Sequence, residues 1–262
     1  MSYQILTFEI GRVKYHKNGN IAKIEFYQNG VVHRDGDRPS ITEYYENGDV
    51  KNETWRQNGK AQRDGDRPAF ITYHENGRIK MQRWYQNNET HRDGGLPALI
   101  EYHENGNVES EIWCQNEKCH RDGDLPAYIE YDQNGRIKSQ KWFQNDLCHR
   151  DGDLPSVVKY SENGTIICQR WCQNGKCHRD GDLPAYIEYH QNGQISDESW
   201  CQNNQLHRDG DLPALIEYHE NGTVSLKKWY RQGVLHRDGD LPVAIEYNEN
   251  NDEIQKWCEN ND

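Results

Sequence analysis

Residues 126–154 read PAYIEYDQNGRIKSQKWFQNDLCHRDGDL. Asn134-Gly135 is a strong two-residue hairpin signal, because a type I′ turn needs positive φ at both central residues. Asn145-Asp146 is a weaker version, and Asn-Gly stands in the same place at 29–30, 58–59 and 174–175. β-branched and aromatic residues fill the segments between. No helical apolar period lasts long enough to compete. The stretch reads as strands joined by two hairpin turns.

The same pattern recurs along the chain. His-Arg-Asp-Gly begins at 33, 91, 120, 149, 178, 207 and 236, and Gln62-Arg63-Asp64-Gly65 fills the gap, so every step is 29 residues. Prolines follow six residues after each start. Trp occupies one slot at Trp55, Trp84, Trp113, Trp142, Trp171, Trp200 and Trp229, then comes one residue early at Trp257; Phe26 holds the slot in the first unit. A Tyr column runs from Tyr15 through Tyr131 to Tyr247. Nine units follow: 10–38, 39–67, 68–96, 97–125, 126–154, 155–183, 184–212, 213–241 and a truncated 242–262, with 1–9 as a leading strand or cap. Atypical end units are normal in repeat arrays, because terminal units must face water.

The turns divide each unit unequally. Residues 136–144 are expected to form one strand of nine. Residues 147–162 are expected to form its partner, with 150–155 looped out as a bulge, since Pro155 cannot donate within a ladder. This register sets Cys148 opposite Phe143 and His149 opposite Trp142. Ala127, Ile129, Tyr131, Trp142 and His149 then share one face, and Tyr128, Ile137, Phe143 and Cys148 the other. The expected fold is all-β: an elongated repeat array of antiparallel β-hairpins in a single-layer twisted meander. A β-solenoid burying one face is the alternative.

Composition agrees with a thin sheet. Leu, Ile, Val and Phe make up about 17% of 262 residues, and the net charge is −12, values that would suggest disorder in a chain without repeats. Eight Trp and sixteen Tyr supply the missing apolar surface. No stretch approaches the ~18 apolar residues of a membrane helix. The acidic balance disfavours nucleic acid, whose binding rests on Lys/Arg contacts to phosphate. The first ten residues do not read as a secretory signal. A cytoplasmic, reducing location is therefore expected, with the eight Cys as thiols.

The combination of Tyr-x-Glu/Gln-Asn-Gly-x-Ile, Trp-x-Gln-Asn-Gly and His-Arg-Asp-Gly with a following Pro-Ala resembles MORN repeats and their variants. It is similar to variants common in large DNA viruses. The resemblance covers residues 10–262 and implies extended hairpin arrays with roles in scaffolding, dimerisation or lipid association. The period of 29 and the Arg-Asp after His depart from the common MORN form.

Several constellations invite chemistry. His-Arg-Asp is also a kinase catalytic-loop string, but the Gly-rich loop, strand Lys and downstream Asn of that site are not placed here. Repeated copies argue for structure, with Arg34, Arg63, Arg92 and their equivalents bridging ladders or bonding loop carbonyls. Asp-Gly-Asp in seven loops offers oxygens to Ca²⁺. Asp side chains closing turns onto backbone N–H groups are the alternative, and Asp93-Gly94-Gly95 reads as a local turn that tolerates loss of the second carboxylate. Cys114/Cys119 and Cys172/Cys177 face each other across hairpins, as apolar pairs, disulfides or zinc ligands. The candidate interaction ladder is Trp55, Trp84, Trp113, Trp142, Trp171, Trp200 and Trp229. No catalytic residue, cofactor or metal is assigned. The expected role is a non-enzymatic scaffold for a protein partner or a second copy. A Ca-stabilised array and a lipid-associated module are the alternatives, and the acidic charge disfavours anionic membranes.

Overall fold

A computed structural model describes residues 10–257, so the leading segment 1–9 and the last residues of the ninth unit lie outside the described residues. The chain divides into two compact units. One runs to Asp122 and includes Glu130–Gly135; the other comprises Gly123–Ile129 and the chain from Arg136. In the first, Ile10–Tyr15, Ile21–Gln28, Ile41–Tyr44, Val50–Thr54, Phe70–Tyr73, Ile79–Arg83, Leu99–Tyr102 and Val108–Ile112 pair in succession, all antiparallel. In the second, Ile137–Lys141, Val157–Tyr160, Ile166–Arg170, Tyr186–Tyr189, Ile195–Ser199, Leu215–Tyr218, Val224–Lys228, Ala244–Tyr247 and Glu253–Trp257 do the same. The described residues contain no helix. The meander closes into neither a barrel nor a solenoid, so the solenoid alternative is set aside.

The expected nine-residue strand is interrupted. Ile137–Lys141 belongs to the main sheet, but Phe143–Gln144 pairs with Leu147–Cys148 in a separate short hairpin. Trp142 is the exit point. Its N–H bonds to the Ser156 carbonyl at 2.9 Å, while its own carbonyl accepts the His149 N–H at 3.1 Å. The backbone is satisfied on both sides, yet the two partners lie on different segments, so the ladder cannot continue. The looped-out stretch is correspondingly longer than expected: residues 149–156 all lie outside strands.

Only one of the two turns has the expected type. Asn145 and Asp146 both have positive φ, 51° and 68°, which makes the short hairpin the type I′ turn. At the other turn only Gly135 is left-handed, at 82°, and its N–H bonds to the Asp132 carbonyl at 2.9 Å. That is a type I turn followed by a left-handed glycine. A register shift beside such turns, for example between Glu188 and Tyr189, marks the bulge. The reason lies in the Asn side chain. Asn105 Oδ1 accepts the Asn107 N–H at 2.9 Å, and its Nδ2 donates to the Gln133 carbonyl at 2.8 Å. Asn192 does the same with Gln194 and the Glu220 carbonyl.

The Trp, Ala, Ile and Tyr columns expected on one face gather as Trp55, Ala69, Ile71 and Tyr73, but Ile79 and Tyr85, equivalents of Ile137 and Phe143 on the expected opposite face, pack against the same cluster. Trp55, Trp84, Trp113, Trp142, Trp171, Trp200 and Trp229 are all buried, 6–8% exposed, and the small residue after each proline (Ala127, Ser156, Ala185) is fully covered. Tyr hydroxyls on this face donate to a Glu or Gln twenty residues earlier: Tyr131 to Glu111 and Tyr160 to Gln140, each at 2.7 Å. Trp257 shows what one residue of drift does. It pairs with Ala244, where Lys228 pairs with Leu215 in the preceding unit. With a side-chain period of two this sends the ring to the other face, where it is 39% exposed.

Candidate functional site

The repeated His-Arg-Asp-Gly-Asp loop builds one structure many times. Arg179 lies flat on the Trp171 ring, 3.9 Å from its centroid. Its Nη1 donates to the Pro184 carbonyl at 3.2 Å, and Nε and Nη2 grip the Asp153 carboxylate at 2.7 and 2.9 Å. Asp153 belongs to the preceding unit, and its carbonyl accepts the Trp171 indole N–H at 3.1 Å. Asp153 sits at φ 51°, a left-handed conformation that Asp tolerates better than most residues. The same clamp joins Arg63 to Asp37, Arg92 to Asp66, Arg150 to Asp124, Arg208 to Asp182 and Arg237 to Asp211. Arg34 stacks on Phe26, which stands in the Trp slot. The guanidinium hydrogen bonds hold these Asp carboxyls below the usual carboxylate range.

The first Asp of each loop has a different task. His149 Nδ1 receives the Asn174 N–H of the next hairpin at 3.2 Å. That nitrogen is therefore bare, and Nε2 carries the proton donated to Asp151 at 3.0 Å. Gln173 donates to the other side of the equivalent Asp180. The two carboxylates of Asp-Gly-Asp thus bond to side chains, one within its own unit and one in the next, rather than closing a turn onto backbone N–H groups. The described residues bring no three His, Cys, Asp or Glu side chains together in a way that would hold a metal ion.

This corrects the local-turn reading of Asp93-Gly94-Gly95. Gly95 keeps the left-handed backbone at φ 69° and its carbonyl accepts the Trp113 indole N–H at 2.8 Å. It offers no carboxylate to Arg121, which stacks on Trp113 at 3.7 Å. A Cβ at 95 would meet nothing within 4 Å. Gly95→Asp is expected to be more stable than Gly95→Asn by up to about 1 kcal/mol, the range of a bidentate but partly exposed pair. The two variants share the backbone effect, so the difference in their urea midpoints reads the ion pair.

The cysteines sit on the short hairpins. Cys114 pairs with Cys119 across one hairpin, Sγ to Sγ 3.8 Å, and Cys172 pairs with Cys177 across another. None of the seven described cysteines is joined in a disulfide.

Two rows remain open to solvent on the loop rim of the second unit. Leu125, Leu154, Leu183, Leu212 and Leu241 are 41–47% exposed. The carboxylates of Asp151, Asp180 and Asp209 beside them are 80–88% exposed. Between successive loops lies a crevice bounded by Asp151, Leu154, Trp171 and Arg179. The leucine row escaped the sequence reading because Leu in a loop looks incidental. Its signal was the fixed place directly before each proline from Leu96 onward, where the first two units have Arg38 and Arg67.

The fold and these loops define a β-sheet repeat protein. Residues 12–29, which carry the Tyr15, Asn18-Gly19 and Phe26 columns, match a family model described as a MORN repeat variant. No curated protein matches the chain. Among solved structures, the crystal structure of TcdB2-TccC3-TEV is 13% identical over 85% of this chain and 13% of that one, with a TM-score of 0.19. The crystal structure of TcdB2-TccC3-Cdc42 is 11% identical over 95% of this chain and 14% of that one, also at 0.19. Scores that low do not establish a common fold.

Proposed function

We propose that the array is a non-enzymatic scaffold that binds a protein partner along its loop rim. The observation that carries this is the repeated pairing of an exposed Leu with an exposed Asp, while every Trp of the interior ladder is buried under an Arg. The Trp ladder (Trp55 to Trp229) then acts as the stiff support and the rim as the contact surface. One unit advances two strand spacings, about 10 Å. An α-helix rises about 10.5 Å in seven residues. The partner that fits is an amphipathic helix with an apolar residue at every seventh position, flanked by Lys or Arg. The apolar side chains seat beside the leucines and the basic ones meet the carboxylate row. A second copy of this acidic chain, or an anionic lipid surface, would bring like charge to the same carboxylates.

The test uses the full chain and a synthetic peptide of that heptad pattern, with a composition-matched scramble. Fluorescence anisotropy is expected to show saturable binding of the heptad peptide that weakens with salt and is lost in the triple variant Leu154→Ser, Leu183→Ser, Leu212→Ser. Equal binding of the scramble, or full binding by the triple variant, would overturn the proposal.

A further inference from the structure

The crevice between the first two loops departs from its repeat equivalents at four places, all on its own wall. Arg38 and Arg67 stand where Leu96 and its successors stand. Arg56 fills the slot that elsewhere holds Tyr, Phe or Cys, and Gln62 replaces the His of His-Arg-Asp-Gly. These four residues line one crevice of about 160 Å³, together with Arg34, Arg63 and Trp55. Its five guanidinium groups outnumber the carboxylates of Asp37 and Asp64 by three charges, in a chain of net charge −12. The crevice four units further on has Leu154, Cys172 and His178 in the equivalent places, and its two Arg balance its two Asp. Asp37 is already shared. Arg63 grips it at 2.6 and 3.0 Å, and Arg67 bonds to the same carboxylate. Arg67 Nε and Arg56 Nη1 donate to the Asp64 and Gly59 carbonyls at 2.9 and 2.8 Å. Trp55 Nε1 and Arg56 Nε are buried without an acceptor, so the wall is rich in donors and short of acceptors.

We propose that this crevice binds the phosphate group of a small soluble phosphate, either inorganic phosphate or a phosphate monoester. Charge, geometry and size select that class. A phosphate dianion offsets most of the three surplus positive charges, which a single carboxylate does not. A guanidinium fork meets two phosphate oxygens at once and stays charged at every physiological pH. The volume lies below the roughly 300–1,000 Å³ of pockets that enclose drug-sized ligands. The crevice therefore takes the anion and leaves the rest of an ester in solvent. Arg38 and Arg67 are exposed, so the ligand enters directly from bulk water and its affinity falls as salt rises. The exposed leucine row is absent at this end of the rim, and the site does not depend on the helix partner proposed above.

The experiment titrates the full chain by calorimetry at constant ionic strength with inorganic phosphate, glucose 6-phosphate and acetate in turn. Both phosphates are expected to bind at one site per chain, and acetate is expected not to saturate it. The triple variant Arg38→Leu, Arg56→Tyr, Arg67→Leu installs residues that other units carry in these slots, and thermal melting checks that it folds. Its affinity for phosphate is expected to fall by about tenfold or more, the effect of losing a single charge-assisted bond. Arg38→Leu alone, at an exposed position, gives a smaller loss in the same direction and serves if the triple variant does not fold. The proposal is overturned by any of three results: no saturable phosphate binding, acetate binding as tightly as phosphate, or unchanged affinity in the folded variant.

Discussion

Trp171→Ala is expected to destabilise the second unit by about 3–5 kcal/mol, the range for removing a buried aromatic ring. The ring is 7% exposed, so nearly all its transfer energy is lost. The stack under Arg179 disappears with it, and the Asp153 carbonyl loses the indole N–H. Trp171→Phe should cost far less. It keeps an aromatic platform, and Phe26 under Arg34 at 3.6 Å shows that a phenyl ring serves in this slot. The remaining loss is chiefly the indole hydrogen bond, about 1 kcal/mol. Trp55 supplies an internal comparison. Its Nε1 is buried without a hydrogen-bond partner, so Trp55→Phe removes an unsatisfied donor and should be milder than Trp171→Phe. Urea unfolding followed by circular dichroism checks all three. Equal costs for the two Phe variants would show that the indole N–H bond contributes nothing measurable. Each unit touches mainly its neighbours, so the loss should appear as broadened unfolding as well as a lower midpoint.

The period, the strand content and the Trp column were legible because each is a local property of residues repeated at a fixed step. The turn assignment was not. Asn-Gly suits a type I′ turn and equally a type I turn with a left-handed glycine. What separates 105–106 from 174–175 is the Asn105 side chain reaching the Gln133 carbonyl, 28 residues away. Trp142 looked like mid-strand for the same reason, since the carbonyl that takes its N–H belongs to Ser156. The Arg–Asp clamp was foreseen as a ladder salt bridge, but its partner lies 26 residues earlier, so Gly95 passed for a harmless turn variant. In each case the deciding contact joins neighbouring units, and it can be read only after the register of both is known.

Arg179→Ala should cost about 3 kcal/mol. The stack on Trp171 contributes about 0.5–2 kcal/mol. The charge-assisted bond to the Pro184 carbonyl adds about 1.5–3 kcal/mol, and the pair with Asp153 no more than about 1 kcal/mol, because that carboxylate is 54% exposed. Arg179→Lys keeps the charge but not the planar fork, and is expected to recover less than half of the loss. Acid titration gives a second reading. Arg179 depresses the Asp153 carboxyl, so the folded pKa lies below the unfolded value near 3.9. Stability from this pair is therefore fully present above about pH 4 and is lost as pH falls through the depressed folded value. Asp66, Asp124, Asp182 and Asp211 are depressed by the same arrangement, so the whole chain should weaken together in that window. Arg179→Ala returns Asp153 towards its ordinary value, and the gap between the variant and the parent chain should narrow as pH drops below about 4. A gap that stays constant from neutral pH to pH 3 would mean that the stack on Trp171 and the Pro184 bond hold the clamp, with the carboxylate adding nothing to it.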